Sequence, residues 1–172
     1  MGTPQLRPLL VSLNNPLFGN ICTWPFADAY VSRLLRDDIP QRIKYGHGRV
    51  IAFQEPTQGT IVGFGTIDIC DDYKALAEHL PHPYIPLLAV HPAHEGNGYG
   101  KAIVNQLVAY ATVAAARQQP IPCHPVLFLD VYEDNAAARH LYEKHGQFTY
   151  AHPHPVLDTA EGKTFMVMSR PL

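Results

Sequence analysis

Apolar residues recur along this chain with two different periods, and the switches between them mark its elements. Residues 9–13, LLVSL, read as a first strand, after which NNPLFGN breaks the run with turn formers. From 25 to 44, PFADAYVSRLLRDDIPQRIK places Phe26, Tyr30 and Leu34 at helical spacing, and Pro40 divides that stretch into two short helices. RVIAFQ (49–54) and TIVGFGTIDI (60–69) are β-branched and aromatic runs flanking EPTQG, which predicts a hairpin. PYIPLLAV (83–90) predicts one strand, with Pro86 tolerated where an edge is unpaired. Residues 100–116 predict a helix with Ile103, Leu107, Ala111 and Ala114 along one face. PVLFLDVY (125–132) predicts a buried strand, residues 136–145 a short helix, and FTYAH with KTFMVMSR a closing antiparallel pair. Strand, helices, three strands, helix, strand, helix, two strands make a mixed α/β layer architecture.

A chain of 172 residues suits one domain, residues 1–172, with a single sizeable core. An apolar share of 47% with 16% charged residues describes a globular protein rather than a disordered one. The net charge of −2 argues against a nucleic-acid surface. No run of about 18 apolar residues exists, so no membrane span is predicted. MGTPQLRPLL lacks the basic region and apolar stretch of a secretory signal, and Leu6 stands where a myristoylation signal after Gly2 needs Ser or Thr. Cys22, Cys70 and Cys123 are odd in number and scattered, which fits reduced thiols and predicts a cytoplasmic location. Proline pairs at 81/83, 120/122 and 153/155 punctuate elements rather than separate domains. Among the ten histidines, HPHP (152–155) with His124 and His145 invites a metal reading. Alternating His-Pro points side chains apart along an extended segment, so no metal is predicted.

The most informative stretch is VHPAHEGNGYGK (90–101), which sets Gly96, Gly98 and Gly100 between a strand and a helix. Free N–H groups and the helix dipole attract anions at such a place. A Walker loop fails, because Glu95 and Ala102 occupy the places of its first glycine and its Ser/Thr. The dinucleotide fingerprint fails because Lys101 stands at its third glycine.

Farther along comes LDVYEDNAAARHLYEKHG (129–146), and together the two segments resemble the GNAT superfamily of acyl-CoA-dependent N-acetyltransferases. Val90-His91-Pro92 before Glu95-x-x-Gly98-x-Gly100 is similar to that family's pyrophosphate loop. Asn135, Ala138, Leu141 and Tyr142 match its second signature, N-x-x-A-x-x-L-Y. The resemblance covers residues 61–148 well and the rest by element order.

The resemblance implies a GNAT-like α/β fold, a mixed and mostly antiparallel central sheet of about seven strands flanked by helices. It implies that this sheet splays between residues 83–90 and 125–132, so that the pantetheine arm of acetyl-CoA inserts like a false strand. It implies cofactor contacts from Leu88, Ala89, Val90, Glu95, Gly96, Asn97, Gly98, Tyr99, Gly100, Lys101, Asn135, Ala138 and Tyr142. Tyr142 takes the place of the general acid, and the N–H of Ala89 or Val90 that of the donor to the thioester carbonyl. For Tyr142 the plain alternative is a helix tyrosine packed beside Leu141; for Asn135 it is a helix cap.

Two departures stand out. Glu95 replaces the family's Gln or Arg and sets an acid beside an anionic ligand, a repulsion of about 1 kcal/mol in watery surroundings. Gly146-Gln147-Phe148 carries one residue more than the usual Gly-Phe, which predicts a bulge before the last strands. No acid stands on YIPLLAV, where the family often has a glutamate. Asp68, Asp71, Asp72, Glu78, His82 and Tyr84 are then the candidate bases, each read first as a solvated loop residue, with a water relay or an amine that loses its proton to solvent as the alternative to any of them.

The predicted activity is direct transfer of an acetyl group from acetyl-CoA to an amine of a small molecule or peptide, with no metal. In the acidic segment 68–83, Asp68, Asp71, Asp72 and Glu78 are read first as a solvated face, with attraction of a cationic amine as the alternative. Two alternatives stay open: a noncatalytic acetyl-CoA-sensing module, and acetylation of a macromolecule such as a protein amino terminus, a lysine or an aminoacyl-tRNA. A homodimer is also open.

Overall fold

Asn15 starts a helix inside the stretch predicted to be a turn. In the computed structural model its Oδ1 accepts from the N–H of Leu17 at 2.9 Å, and Pro16 takes the first helical turn. A capping Asn followed by Pro, whose missing N–H has no partner there anyway, is a helix start. NNPLFGN was legible as punctuation, but the punctuation opens a helix rather than a loop.

The structure describes all residues except 1–2, 27–28, 46–47, 71, 74, 118–122, 153–155 and 159–161. In chain order the elements are β1 (Arg7–Val11), α1 (Pro16–Cys22), α2 (Ala29–Arg33), a π turn (Leu34–Asp38), α3 (Ile39–Lys44), β2 (Arg49–Gln54), β3 (Ile61–Cys70), β4 (His82–Ile85) and β5 (Leu88–Val90). After a 3-10 turn (Pro92–His94) come α4 (Tyr99–Arg117), β6 (Val126–Tyr132), α5 (Ala136–Leu141), a second π turn (Tyr142–Gly146), β7 (Thr149–Tyr150), β8 (Val156–Asp158) and β9 (Lys163–Pro171). The chain divides into two compact units, Met1–Asp68 with Leu87–Ile103 and Ile69–Pro86 with Val104–Leu172.

In the first unit β2 lies between β1 and β3, and β5 pairs β3, all antiparallel. EPTQG closes the β2–β3 hairpin as predicted, with Glu55 and Gly59 amides bonded across it. Ile21, Leu35, Val50, Ala52 and Phe64 are fully buried in its core. Gly63 matters here for its size. A Cβ on it would sit 2.8 Å from the Ala89 carbonyl oxygen and 2.4 Å from Ile103 Cδ1. The bare backbone lets β5 and the first turns of α4 close onto β3.

In the second unit β4 and β6 pair in parallel, and β9 runs antiparallel to β6 along its whole length. β7 and β8 both pair with β9. Tyr84, Phe128 and Val167 form its core with Ala77.

The strands make a mixed, mostly antiparallel open sheet. Nine strands are present among the described residues, against the seven expected. One difference is β8, whose three residues are too short for a periodic signal. The other is that 83–90 is two strands. Pro86 has no N–H for a ladder. Directly after it the Leu87 carbonyl accepts from both the N–H and the hydroxyl of buried Thr66, at 2.8 and 3.2 Å. Those bonds set β5 on β3.

Candidate active site

The loop that the glycines predicted is built in tight steps. His91 caps the 3-10 turn through its Nδ1, which accepts from the Ala93 N–H at 3.1 Å. Asn97 Nδ2 donates to the carbonyls of His94 and Glu95, each at 3.1 Å. Gly96 and Gly98 then take φ of +75° and +79°, the left-handed region that side chains oppose. Gly100 does not share this need; it is an ordinary helical residue in the first turn of α4. Nothing lies within 4 Å of a Cβ built on Gly96, and only Pro4, at 3.6 Å, approaches one on Gly98. Backbone angle, not crowding, fixes glycine at both.

The initial N–H groups of α4 have no intrahelical acceptors and carry the positive end of a 19-residue helix. Lys101 stands half-buried in this turn. Glu95 is exposed, and so are Gly96, Asn97 and Gly98, while Tyr99 and Gly100 are half-buried. Backbone donors, a helix dipole and one lysine are a donor set suited to a diphosphate.

β5 leads into this loop. Gly65, Phe64 and Gly63 pair with Leu88, Ala89 and Val90. Thr66 N–H donates to Leu87 O and His91 N–H to Val62 O. Antiparallel ladders alternate, so Ala89 turns its N–H and C=O toward β3, and Leu88 and Val90 turn theirs to the other edge. Of the two amides proposed from the sequence, the one on that outer edge is Val90's.

In the second unit, Asn135 caps α5, its Oδ1 accepting from the Ala138 N–H at 3.0 Å. This is the plain alternative read from the sequence, and it leaves the amide NH₂ of an exposed side chain. Tyr142 opens the π turn and is buried, its ring 6.0 Å from Phe148. Burial pushes its phenol up to about 12. The predicted bulge before the last strands is absent. Gln147 adopts φ +58° and donates its N–H to Tyr142 O, as does the Phe148 N–H at 3.1 Å. The additional residue is accommodated as a widened helical turn, and Gly146 is required because a Cβ there would meet the Phe148 ring at 2.7 Å.

The candidate bases divide sharply. Asp68 is buried rather than solvated, with Oδ2 bonded to Arg42 Nη1 at 2.6 Å and Oδ1 without a partner among the described residues. His82 is also buried: its Nε2 accepts from the Tyr73 N–H at 3.4 Å and lies 3.7 Å from Cys70 Sγ. Tyr84 is buried and donates to Asp130 Oδ2 at 2.9 Å. Asp72 and Glu78 are exposed, as expected of a solvated face; Asp71 lies outside the described residues. Sequence reading missed Asp130, which accepts from both Tyr84 and Tyr73. The signal was a lone acid inside PVLFLDVY, a polar residue interrupting a buried strand.

Among the histidines, His124 Nε2 lies 4.0 Å from Glu78 Oε2, His145 neighbours His140, and His152 is half-buried. His154 lies outside the described residues, with Pro120, Pro122, Pro153, Pro155 and Gly2. Among the described residues no three His, Cys, Asp or Glu side chains converge as metal ligands, and no helix is long and apolar enough to cross a membrane.

The model of the Acetyltransferase (GNAT) family matches residues 14–147. The chain belongs to this GNAT acetyltransferase family. Acetyltransferases of the family use acetyl-CoA, in keeping with the donor set above. Mycothiol acetyltransferase from Stackebrandtia nassauensis is 34% identical over 67 residues, 39% of this chain and 19% of that relative. The chain thus matches about a fifth of its length. Among solved structures, a chimera of spermidine N-acetyltransferase SpeG from Vibrio cholerae and hSSAT superimposes with a TM-score of 0.67 at 16% identity, covering 95% of each chain. A Bacillus subtilis acetyltransferase in complex with CoA does so with a TM-score of 0.61 at 13% identity, over 98% of this chain and 99% of the other. These likenesses show the GNAT fold.

Proposed function

We propose that this GNAT protein is an N-acetyltransferase that moves the acetyl group of acetyl-CoA directly to an amine of a small molecule or peptide. Both compact units would form one catalytic domain, acting in the cytoplasm. The observation that carries this reading is the loop at residues 95–101: two obligatory glycines that bare the backbone at the start of a long helix, inside a family-matched segment. The amides from Gly96 to Lys101 would hold the diphosphate. The outward polar groups of Leu88 and Val90 would pair with the pantetheine arm, the Val90 N–H donating to the thioester carbonyl. Ala89 contributes packing, because its polar groups serve β3.

Acetyl-CoA supplies an activated acyl group; the chain's residues must position it, accept an amine proton and return one to the departing thiolate. Tyr142 suits the last task. A phenol raised to about 12 keeps its proton at every working pH. Asn135 and Ala138 would flank the arm. Exposed Asp72 and Glu78 give the segment after β3 a negative field that favours a cationic acceptor. The test is a screen of primary amines, peptides and amine-bearing antibiotics by thiol release from acetyl-CoA, with calorimetry of acetyl-CoA binding. Binding with turnover on at least one amine is the expected result. Binding without turnover on any of these amines would leave the acetyl-CoA-sensing module or a macromolecular acceptor.

A further inference from the structure

We propose that His91 is a positioning residue for acetyl-CoA, one that holds the diphosphate loop in its binding shape only while the imidazole is neutral. The choice of ligand rests on the acetyltransferase reading; the geometry does not. Every residue involved lies in the first compact unit.

His91 joins the sheet to the loop. Its N–H donates to Val62 O on β3 at 2.9 Å, and its carbonyl accepts from the His94 N–H at 2.8 Å. Its Nδ1 accepts from the Ala93 N–H at 3.1 Å. Pro92 has no N–H, and the Ala93 N–H stands too early in the 3-10 turn to find an acceptor inside it, so the imidazole supplies the cap. One end of the turn is thereby tied to β3. The other leads directly into Glu95 and the two positive-φ glycines.

The ring is also seated. It meets Trp24 edge-on, with centroids 4.7 Å apart. Trp24 is buried, packs on Phe26 and Phe64, and donates through Nε1 to Asn20 Oδ1 at 3.2 Å. His91 therefore leans on a wall fixed from both α1 and β3.

A cap that accepts through Nδ1 requires a neutral ring with its proton on Nε2. An imidazolium carries protons on both nitrogens, so Nδ1–H would face the Ala93 N–H, donor against donor. The cap then breaks. The new positive charge would also draw a diphosphate, but at a half-buried residue that attraction passes through solvent and is screened by salt. The broken cap is local and unscreened, and it prevails. Among the described residues the titratable ring beside His91 is His94, centroid 5.5 Å away, and a proton there opposes one on His91. Glu95 and Lys101 are the charged groups farther along the loop, and Trp24 carries no charge.

The test is calorimetry of coenzyme A binding to wild type, His91→Asn, His91→Leu and His94→Gln at about pH 7.5 and about pH 5.5, on either side of the ordinary imidazole range near 6.5. The 3′-phosphate of coenzyme A takes a proton in the same window, so each pH effect is read against His91→Asn with the same ligand. Asn retains an acceptor oxygen and does not titrate. It should match wild type within about twofold at the higher pH and bind about fivefold more tightly than wild type at the lower, the contribution of one hydrogen bond. That gap should widen at high salt. His91→Leu should be about fivefold weaker than His91→Asn at both, and His94→Gln should keep the wild-type fall.

Trp24 is the only tryptophan in the chain, so its emission reports the ring that touches it. Emission should change across this pH range in wild type and stay flat in His91→Asn. Coenzyme A should move the change to more acidic solution, because a ligand that prefers the neutral ring stabilises it in return. The same pH dependence in wild type and His91→Asn, wild type binding more tightly than that variant at the lower pH, or undiminished affinity in His91→Leu would overturn the proposal. So would an emission change that coenzyme A leaves in place, a measurement on wild type that decides even if a variant fails to fold. Any of these in a protein that binds coenzyme A leaves the acetyltransferase reading standing. A wild type that binds none at either pH brings down that reading and this inference with it.

Discussion

Residues 95–98 and residues 78–79 both force the backbone into the left-handed region, and they do so with opposite chemistry. In the first, glycine occupies both positive-φ positions, Gly96 and Gly98. In the second, Glu78 and His79 adopt φ of +51° and +63° with full side chains, at about 1 to 2 kcal/mol each. The glycine loop presents its backbone. The segment after β3 presents side chains, and its awkward turn lies between Tyr73 and the strand that carries His82 and Tyr84. Recognition through backbone leaves a spaced motif in the sequence, whereas recognition through side chains brought from several elements leaves none.

The comparison can be broken at four points. The largest effect is expected at a side chain. Tyr142→Phe retains the ring packed near Phe148 and deletes the hydroxyl, so kcat should drop about 10²-fold with KM for acetyl-CoA little changed. Because that phenol holds its proton up to about 12, the wild-type rate should not decline between pH 8 and 10. A falling limb there, or full activity in the Phe variant, would remove Tyr142 from proton transfer.

Next comes the backbone. Gly98→Val puts a β-branched residue at φ +79°, and the loop should shift enough to weaken coenzyme A at least about tenfold in calorimetry. Equal affinity in a folded variant would refute the backbone assignment.

His79→Gly should do the reverse, relieving strain where no ligand contact is proposed. A gain of about 1 kcal/mol, or about 2 to 4 °C in Tm, is expected from thermal unfolding; a loss would show that the histidine side chain has a role. Smallest is Glu95→Gln. The carboxylate is exposed, so coenzyme A should tighten only about twofold at low salt and not at all at high salt. An effect independent of salt would have another origin.

What the sequence made legible follows the same division. The β2–β3 hairpin, α4 with its buried Ile103, Leu107 and Ala111 face, and the glycine loop were readable because spacing alone defines them. The break at Pro86–Leu87 was not, since it depends on Thr66, far away in sequence, capturing the Leu87 carbonyl. Asp68 and His82 read as surface residues because their burial depends on Arg42 and Tyr73, partners that no local pattern predicts. Asp130 escaped for the same reason: its two tyrosines lie 57 and 46 positions away.

The widened turn at Tyr142–Gly146 has a consequence for how this chain tolerates insertions and deletions. A one-residue slip within a strand exchanges its two faces, so a length change inside β7 would turn Thr149 and Tyr150 over against β9. Lodged at Gln147 instead, the surplus residue loosens one helical turn and leaves the phase of the following strand untouched. Relatives lacking that residue should align with a single gap at this position and keep β7 in the same phase against β9.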